Sequence, residues 1–274
     1  EKRVFTIMMG GAVGAFNSMP EVGMKVQKRV AELVGMQAME VPSRNLSTHK
    51  LEYMMNLALM ANICHKMGEE VYSTTLEEIA EVSEGFTKGT VGSSTMPHKI
   101  NPKLAKGIIA NSQKLYSLPN VGMYSAVRPY EGDSSSYMLF DGLIEEALEL
   151  TTEILLRTEE LSRTIVPHEE RMLHNVMRNK GLDNTEYVMM KMAEKLGKDK
   201  AHSLLYEEAI KTAADGEDFY TNLMKNETIT AAFNADEIKA MLDPRSYIGL
   251  SVELAEKEAK RGLAISQEIK QSYK

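Results

Sequence analysis

Apolar side chains recur at the spacing of one helical face through most of the chain. The first stripe follows Pro20 and predicts a helix near residues 20–34. Ser47 or Thr48 can cap a much longer helix that runs towards Ile79. The apolar positions of this long helix cover more than one face, which is typical of a helix buried between several partners, often between subunits. They are Leu51, Met54, Met55, Leu57, Leu59, Ile63 and Met67.

The same spacing predicts long helices after Pro102 and over residues 134–165, with an irregular segment at 119–133 between them. The helix over 134–165 would be roughly 45 Å long at 1.5 Å per residue, a length that suits a bundle. Pro167 marks a break, after which the elements are shorter. These shorter helices are predicted near 167–178, 184–196, 199–214, 216–225, 235–242 and 246–270. We therefore predict an all-α protein with a long-helix bundle over residues 1–166 and a small all-α domain over 167–274.

Composition narrows the function classes. Hydrophobic residues make up 43% and charged residues 26% of the 274, which is typical of a folded globular chain. A net charge of −7 argues against a general nucleic-acid surface. The single cysteine, Cys64, excludes an internal disulfide and a Cys-based zinc site, and neither a metal nor another cofactor is predicted. No apolar run is long enough to cross a bilayer and no signal peptide opens the chain, so we expect a cytoplasmic protein that does not bind membranes.

The candidate chemistry is concentrated in residues 92–102, whose sequence is GSSTMPHKINP. Ser93 and Ser94 supply hydroxyls, Lys99 a cation and Asn101 a carboxamide. Asn101 and the proline after it are typical of an N-cap followed by the first helical residue, so the loop is predicted to lead directly into a helix. Such a loop can direct backbone N–H groups, Lys99 and Asn101 at an anion while it presents a hydroxyl for chemistry. Taken as separate dipeptides, the same residues are typical of a surface turn.

As one string, this segment resembles the signature G-S-S-x-M-P-x-K-x-N-P of the fumarase/aspartase lyase superfamily. Residues 10–14, GGAVG, resemble the superfamily's G-G-A-x-G-T stretch. Residues 242–249, LDPRSYIG, are similar to the L-D-P-x-x-Y-x-G of its adenylosuccinate lyase and 3-carboxy-cis,cis-muconate cycloisomerase branch. The resemblance covers nearly the whole chain. It implies active sites composed from several subunits, which agrees with the homotetramer that we predict from the broad apolar faces of the helices around 48–80 and 134–165.

The resemblance also implies an anti elimination on a small anionic dicarboxylate-type substrate, usually with release of fumarate. Carried over position by position, Ser93 is the base, with Ser94 as the fallback, and Lys99 and Asn101 bind the substrate carboxylate. A Ser hydroxyl is a poor base, so Lys99 and the loop amides are needed to stabilise its alkoxide. Met96 is placed at the substrate by the same match, where it shapes the loop and does not react.

Two departures from the superfamily pattern bear on the acid and on the substrate ligands. The superfamily's acid His lies on a T-H-x-Q type stretch before the Gly-rich segment. Nothing before Gly10 matches that stretch, so we expect the acid upstream of this chain and do not expect these residues alone to turn over substrate. The Q-R-D-R stretch of the branch corresponds here to Leu46-Ser-Thr-His49. His49 is therefore a candidate substrate ligand, although a solvated His at a helix start fits equally well.

Substrate choice depends on residues 128–141. Adenylosuccinate lyases hold a phosphate in the corresponding segment, and Arg128 and Ser135 are the candidate ligands here. The segment offers no second Arg, and a phosphate dianion favours a forked Arg clamp. Lys106 also stands where adenylosuccinate lyases carry a Glu. These features favour a smaller carboxylate of succinyl or muconate type, for elimination or the related cycloisomerisation, with adenylosuccinate and an inactive structural protein on the lyase fold as the alternatives.

Overall fold

The computed structural model describes residues 3–85, 95–96, 101–130 and 132–272, apart from the side chain of Asp215. The chain divides into two compact units, Glu1–His168 and Glu169–Lys274. This division falls two residues after the predicted domain boundary. Among the described helices, none is both long and apolar enough to cross a membrane.

Three long helices form the bundle of the first unit: α2 (Thr48–Thr74), α3 (Lys103–Ala126) and α5 (Leu143–Thr164). Helices α2 and α3 are antiparallel, since Gly68 near the end of α2 lies against Ala105 and Ile108 at the start of α3. At the other end, Gly122 of α3 lies against Leu51 and Met54 of α2. The core between the three helices is built from Met54, Leu57, Ala61, Cys64, Ile108, Leu115, Leu150, Ile154 and Leu161.

Short elements join and brace the bundle. Before it, β1 (Thr6–Ile7) pairs in parallel with β2 (Gln37–Ala38), and α1 (Gly23–Leu33) connects them. The buried side chain of Gln27 ties this region together, because it accepts a hydrogen bond from Met9 N and donates one to Met39 O. Further along the chain, β3 (Val82–Ser83) pairs antiparallel with β4 (Val166–Pro167), and α4 (Ser134–Phe140) precedes α5.

The second unit is a cluster of shorter helices around its own core. The core side chains include Val188, Met192, Phe219, Leu223 and Ile238. The last helix has no buried residue among those described. The helices are α6 (Glu169–Met177), α7 (Thr185–Leu196), α8 (Lys198–Asp215), α9 (Phe219–Lys225), α10 (Glu227–Ala232), α11 (Ala235–Leu242) and α12 (Ser251–Ser272), with 3-10 turns at Leu182–Asn184 and Pro244–Tyr247.

The all-α prediction is confirmed, but three segments differ from the predicted helices. The segment predicted to be irregular is helical as far as Ala126, with Pro119 inside α3. Pro119 is buried, so its packing offsets the backbone hydrogen bond that a proline cannot donate. The single helix predicted over 134–165 is two helices, because Gly142 adopts a left-handed φ of 79° between α4 and α5. The short helix α10 was not predicted.

Candidate active site

The signature segment is described only in part. Ser93, Ser94 and Lys99 lie outside the described residues. Met96 is described and exposed, and Asn101 is exposed two residues before α3. The predicted cap at Asn101 is wrong, because the N-cap of α3 is Pro102, which makes no side-chain cap hydrogen bond, and the helix begins at Lys103.

The cap of α3 comes instead from Glu84, which follows β3 and lies upstream of the signature segment. The Glu84 carboxylate accepts hydrogen bonds from Leu104 N at 3.0 Å and from Ala105 N at 2.7 Å. Glu84 is only 8% exposed. Its negative charge lies at the positive end of the helix dipole, and it satisfies two N–H groups that otherwise have no partner within the helix. One buried carboxylate therefore connects the residue that follows β3 to the first turn of α3.

The chain around Glu84 is also fixed from the opposite side. Ser83 pairs with Val166 in the β3–β4 ladder, and the Ser83 hydroxyl lies 2.9 Å from Nε2 of His168. Gly85 approaches the end of α5 so closely that a Cβ there would collide with the carbonyl oxygen of Thr164. Residues 83–85 are thus held between the end of α5 and the start of α3.

A positively charged group of side chains lies at the start of α2. Burial, followed by the charges of Lys50 and Arg3, lowers the pKa of His49 below its usual range. Burial and the charge of Arg128 likewise lower the pKa of Lys50, whose Nζ lies 5.5 Å from the centre of the Phe140 ring. A neutral His49 can accept a proton or a hydrogen bond near neutral pH, and the cations around it favour an anionic ligand. His49 also borders a pocket of about 440 Å³ beside β2.

Arg128 and Ser135 lie at the same end of the bundle, but their polar groups already have partners. The two terminal nitrogens of Arg128 donate to the backbone oxygens of Arg44 and Gly132, and the guanidinium stacks 5.2 Å from the centre of the Tyr137 ring. Its buried Nε has no hydrogen-bond partner among the described residues. Ser135 donates from its backbone N and its hydroxyl to Asp133, the N-cap of α4, and these bonds lower the pKa of Asp133.

The Gly-rich stretch near the N-terminus forms a turn that supports this end. Phe16 N donates to Gly10 O at 2.9 Å, and Gly14 adopts a left-handed φ of 76°. A Cβ on Gly10 would lie 2.6 Å from Pro42 O. Only glycine permits this contact, so the turn packs directly on the segment that leads into α2.

The two candidate groups lie at opposite ends of one bundle. His49 and Lys50 begin α2, whereas Glu84 and Asn101 lie beyond its end, beside the start of the antiparallel α3. Helix α2 has 27 residues, which corresponds to about 40 Å. Within the described residues, one chain therefore does not bring His49, Lys50 or Arg128 to Glu84 or Asn101.

Sequence reasoning missed Glu84 and Lys50. Lys50 follows His49 directly, but nothing in the sequence indicates that its charge is half-buried. Glu84 is 20 residues from its first partner, so only the folded chain reveals the contact. Among the described residues, no group of three or more His, Cys, Asp or Glu side chains could hold a metal ion.

Two family profiles match the chain, "Lyase" over residues 1–114 and "Adenylosuccinate lyase C-terminus" over residues 181–257. The adenylosuccinate lyase of Methanocaldococcus jannaschii is 30% identical over 264 residues, which are 95% of this chain and 57% of that protein. The N-acetyl-S-(2-succino)cysteine lyase of Enterococcus italicus is 29% identical over 251 residues, which are 91% of this chain and 55% of that protein.

A solved structure agrees with these sequence matches. The crystal structure of the 3-carboxy-cis,cis-muconate lactonizing enzyme from Pseudomonas putida superposes with a TM-score of 0.85 at 25% identity. The match covers 95% of this chain and 59% of that one. The chain thus spans a little over half the length of the relatives that it matches.

Proposed function

Because this chain belongs to the fumarase/aspartase lyase superfamily, in its adenylosuccinate lyase and muconate cycloisomerase branch, we propose that it is part of a lyase for succinyl-type carboxylates. The reaction is an anti β-elimination that releases fumarate. The observation that carries the proposal is the complete signature string at 92–102, which lies in the sequence between β3 and α3. A purely structural protein has no need of Ser93, Lys99 and Asn101 together.

In the proposed mechanism, Ser93 as an alkoxide removes the proton from the carbon beside a substrate carboxylate. The electron pair of the broken C–H bond moves into that carboxylate and gives a doubly charged aci-carboxylate. Lys99 and Asn101 stabilise this charge, where one well-aimed donor contributes roughly 3–4 kcal/mol. The pair then returns to form the double bond while the leaving group departs from the opposite face with a proton from an acid.

The surroundings of Arg128 support a leaving group without a phosphate. Two of its five N–H donors go to backbone oxygens and its Nε–H is buried, so Arg128 offers a phosphate dianion less than a free fork would. Lys106, where adenylosuccinate lyases carry a Glu, is exposed on α3. We therefore favour a succinyl adduct of a small thiol or amine, in line with the relative named for N-acetyl-S-(2-succino)cysteine. Adenylosuccinate is the second candidate, because the relative from Methanocaldococcus is named for it.

The same proposal includes a homotetramer. Leu59 and Ile63 of α2 are 67% and 74% exposed and lie one turn apart on the face opposite the core. An open groove of about 650 Å³ follows α5 and is bordered by Ile144, Leu148 and Leu156. Apolar helix faces of this kind mark interaction surfaces. Contact with further copies would also bring opposite ends of two bundles together.

The first test is an ultraviolet assay of fumarate formation by the full-length protein, with S-succinyl and N-succinyl adducts and adenylosuccinate as substrates. We expect turnover of a small adduct. Efficient cleavage of adenylosuccinate would contradict the substrate preference, and turnover of no member of the panel would favour the inactive structural protein.

The assignment of the base is tested in the same assay. Ser93→Ala should lower kcat by roughly 10²–10⁴-fold, the contribution of general base catalysis, with a much smaller change in substrate affinity. Ser94→Ala is the matched control, because it removes the adjacent hydroxyl. If Ser93→Ala keeps nearly normal activity while Ser94→Ala is inactive, then Ser94 is the base.

A further inference from the structure

Tyr130, in the loop between α3 and α4, has a backbone conformation that is unusual for its residue type. Its φ is 52°, in the left-handed region that glycine tolerates and that disfavours residues with a Cβ. Phe16, Ala80 and Lys180 also have a positive φ, but Tyr130 is in addition 93% exposed, the highest value among the large apolar and aromatic residues that the structure describes. Packing within the described chain therefore does not explain the strain, and outliers of this kind cluster at ligand sites.

Hydrogen bonds on both sides of this residue hold the loop in place. Pro129 O accepts from Gly132 N at 3.1 Å and from Asp133 N at 2.9 Å, which closes a turn. The guanidinium of Arg128 donates to the backbone oxygens of Gly132 and Arg44, and so fastens the turn to the segment that leads into α2. The backbone between these contacts cannot relax to an ordinary φ without breaking some of them.

The loop holds Tyr130 beside the positively charged group at the start of α2. Tyr130 is two residues from Arg128, so their Cα atoms lie within about 7 Å of each other. The charge of Arg128 acts in turn on Lys50. Among the described residues, the Tyr130 side chain makes no hydrogen bond, ion pair or ring contact. A ligand bound by these cations is therefore within reach of an unoccupied aromatic ring.

We propose that Tyr130 is a specificity-determining residue whose ring packs against the leaving group of the substrate. This inference rests on the lyase function proposed above. The carboxylates of the succinyl part require cations and hydrogen-bond donors, whereas an uncharged ring contributes contact area, which favours the part of the substrate beyond those carboxylates. The preferred substrates are therefore S- or N-succinyl adducts whose leaving group carries a planar amide or an apolar portion next to the sulfur or nitrogen.

Selectivity between two substrates that differ only in their leaving group tests this role. The full-length protein is assayed with N-acetyl-S-(2-succino)cysteine and with 2-(methylthio)succinate, which has the same succinyl part but only a methyl group on sulfur. We expect Tyr130→Gly to lower kcat/KM for the larger adduct by roughly 10-fold and to change that for the smaller adduct by less than about twofold. Tyr130→Phe, which keeps the ring, should retain the wild-type ratio.

Tyr130→Gly should fold, because glycine accepts the left-handed φ and the ring has no contact in the described chain that could be lost. Its Tm should equal or slightly exceed that of the wild type, since relief of strain offsets the greater freedom of glycine in the unfolded chain. The matched control is Lys180→Gly in the second unit, where φ is 57°. It removes the same kind of strain and should leave the ratio of the two kcat/KM values unchanged.

Two results of these assays would overturn the proposal. The first is an unchanged ratio in Tyr130→Gly, with or without an equal loss of both rates, because the ring would then not touch the leaving group. The second is a smaller species of Tyr130→Gly in light scattering, since the ring would then belong to a contact between subunits.

A binding measurement does not depend on turnover. N-acetylcysteine, the free leaving group of the larger adduct, should raise the Tm of the wild type and of Tyr130→Phe more than that of Tyr130→Gly. If the wild type turns over neither adduct, the proposed lyase function fails, while this difference in Tm still supports an aromatic contact at Tyr130. Equal shifts in the three proteins would then overturn the contact as well.

Discussion

Lys50 and Arg128 bring two positive charges to the same end of the bundle, and burial together with this repulsion lowers the pKa of Lys50. The folded pKa of Lys50 lies below its unfolded value, so the folded state binds the Lys50 proton less tightly than the unfolded chain does. At every pH below the folded pKa the charge of Lys50 therefore reduces stability, and the loss is relieved as the pH rises through that value. A group that weakens its own fold is typical of a binding site.

We predict that Lys50→Met raises Tm slightly, by about 1–3 °C near neutral pH, because Met keeps the contact with Phe140 and removes the charge. Fumarate or succinate should stabilise the wild type and should stabilise Lys50→Met less, since the anion loses a cation. Thermal unfolding with and without the dicarboxylate measures both effects. A variant that is less stable than the wild type, with unchanged stabilisation by the ligand, would show that Lys50 is structural.

At the scale of helices, the sequence predicted each helix that has a continuous apolar stripe. It did not predict where a helix breaks or continues because of the backbone conformation of one residue. The stripe over 134–165 continues across Gly142, so periodicity alone could not predict the break that its left-handed φ produces. Pro119 predicted an end that tertiary packing overrides. Elements of this kind depend on contacts distant in sequence, which a local pattern does not contain.

The break at Gly142 leads us to predict opposite effects of an alanine substitution on stability at two glycines. Gly142→Ala should destabilise the protein by about 1 kcal/mol, because alanine disfavours the left-handed conformation even though space is available for its Cβ. Gly262, in the middle of exposed α12, has an ordinary helical backbone and equal space. Gly262→Ala should therefore increase helical content, in line with a helix propensity advantage of about 1 kcal/mol. Urea unfolding and far-ultraviolet circular dichroism distinguish the two, and the same sign at both sites would contradict this account.

For the whole molecule, the candidate site was predictable only where its residues are contiguous. The signature string was evident from the sequence because its chemistry lies within eleven residues. The contacts of Arg128 with Arg44, and of Glu84 with α3, join residues far apart in the chain. The separation of the two candidate groups along α2 emerged only from the fold.

The proposed tetramer can be tested at Leu59. Leu59→Glu places a charge on the exposed apolar face of α2 and should shift the protein to a smaller species by light scattering at micromolar concentration. Met190→Glu is the matched control, since Met190 is 53% exposed on α7 in the second unit. A wild type that is already a stable monomer would refute the assembly. Equal dissociation of the Leu59→Glu and Met190→Glu variants would mean that the α2 face is not the specific subunit interface.

The antiparallel arrangement of α2 and α3 also has a genetic consequence. In the proposed oligomer, each site combines one end of one bundle with the opposite end of another. Two alleles that damage opposite ends, at Asn101 and at Lys50 for example, can then complement each other, because some mixed assemblies join two undamaged halves. Two alleles that damage the same end cannot, so a cell carrying two different lesions reveals which residues share an end of the bundle.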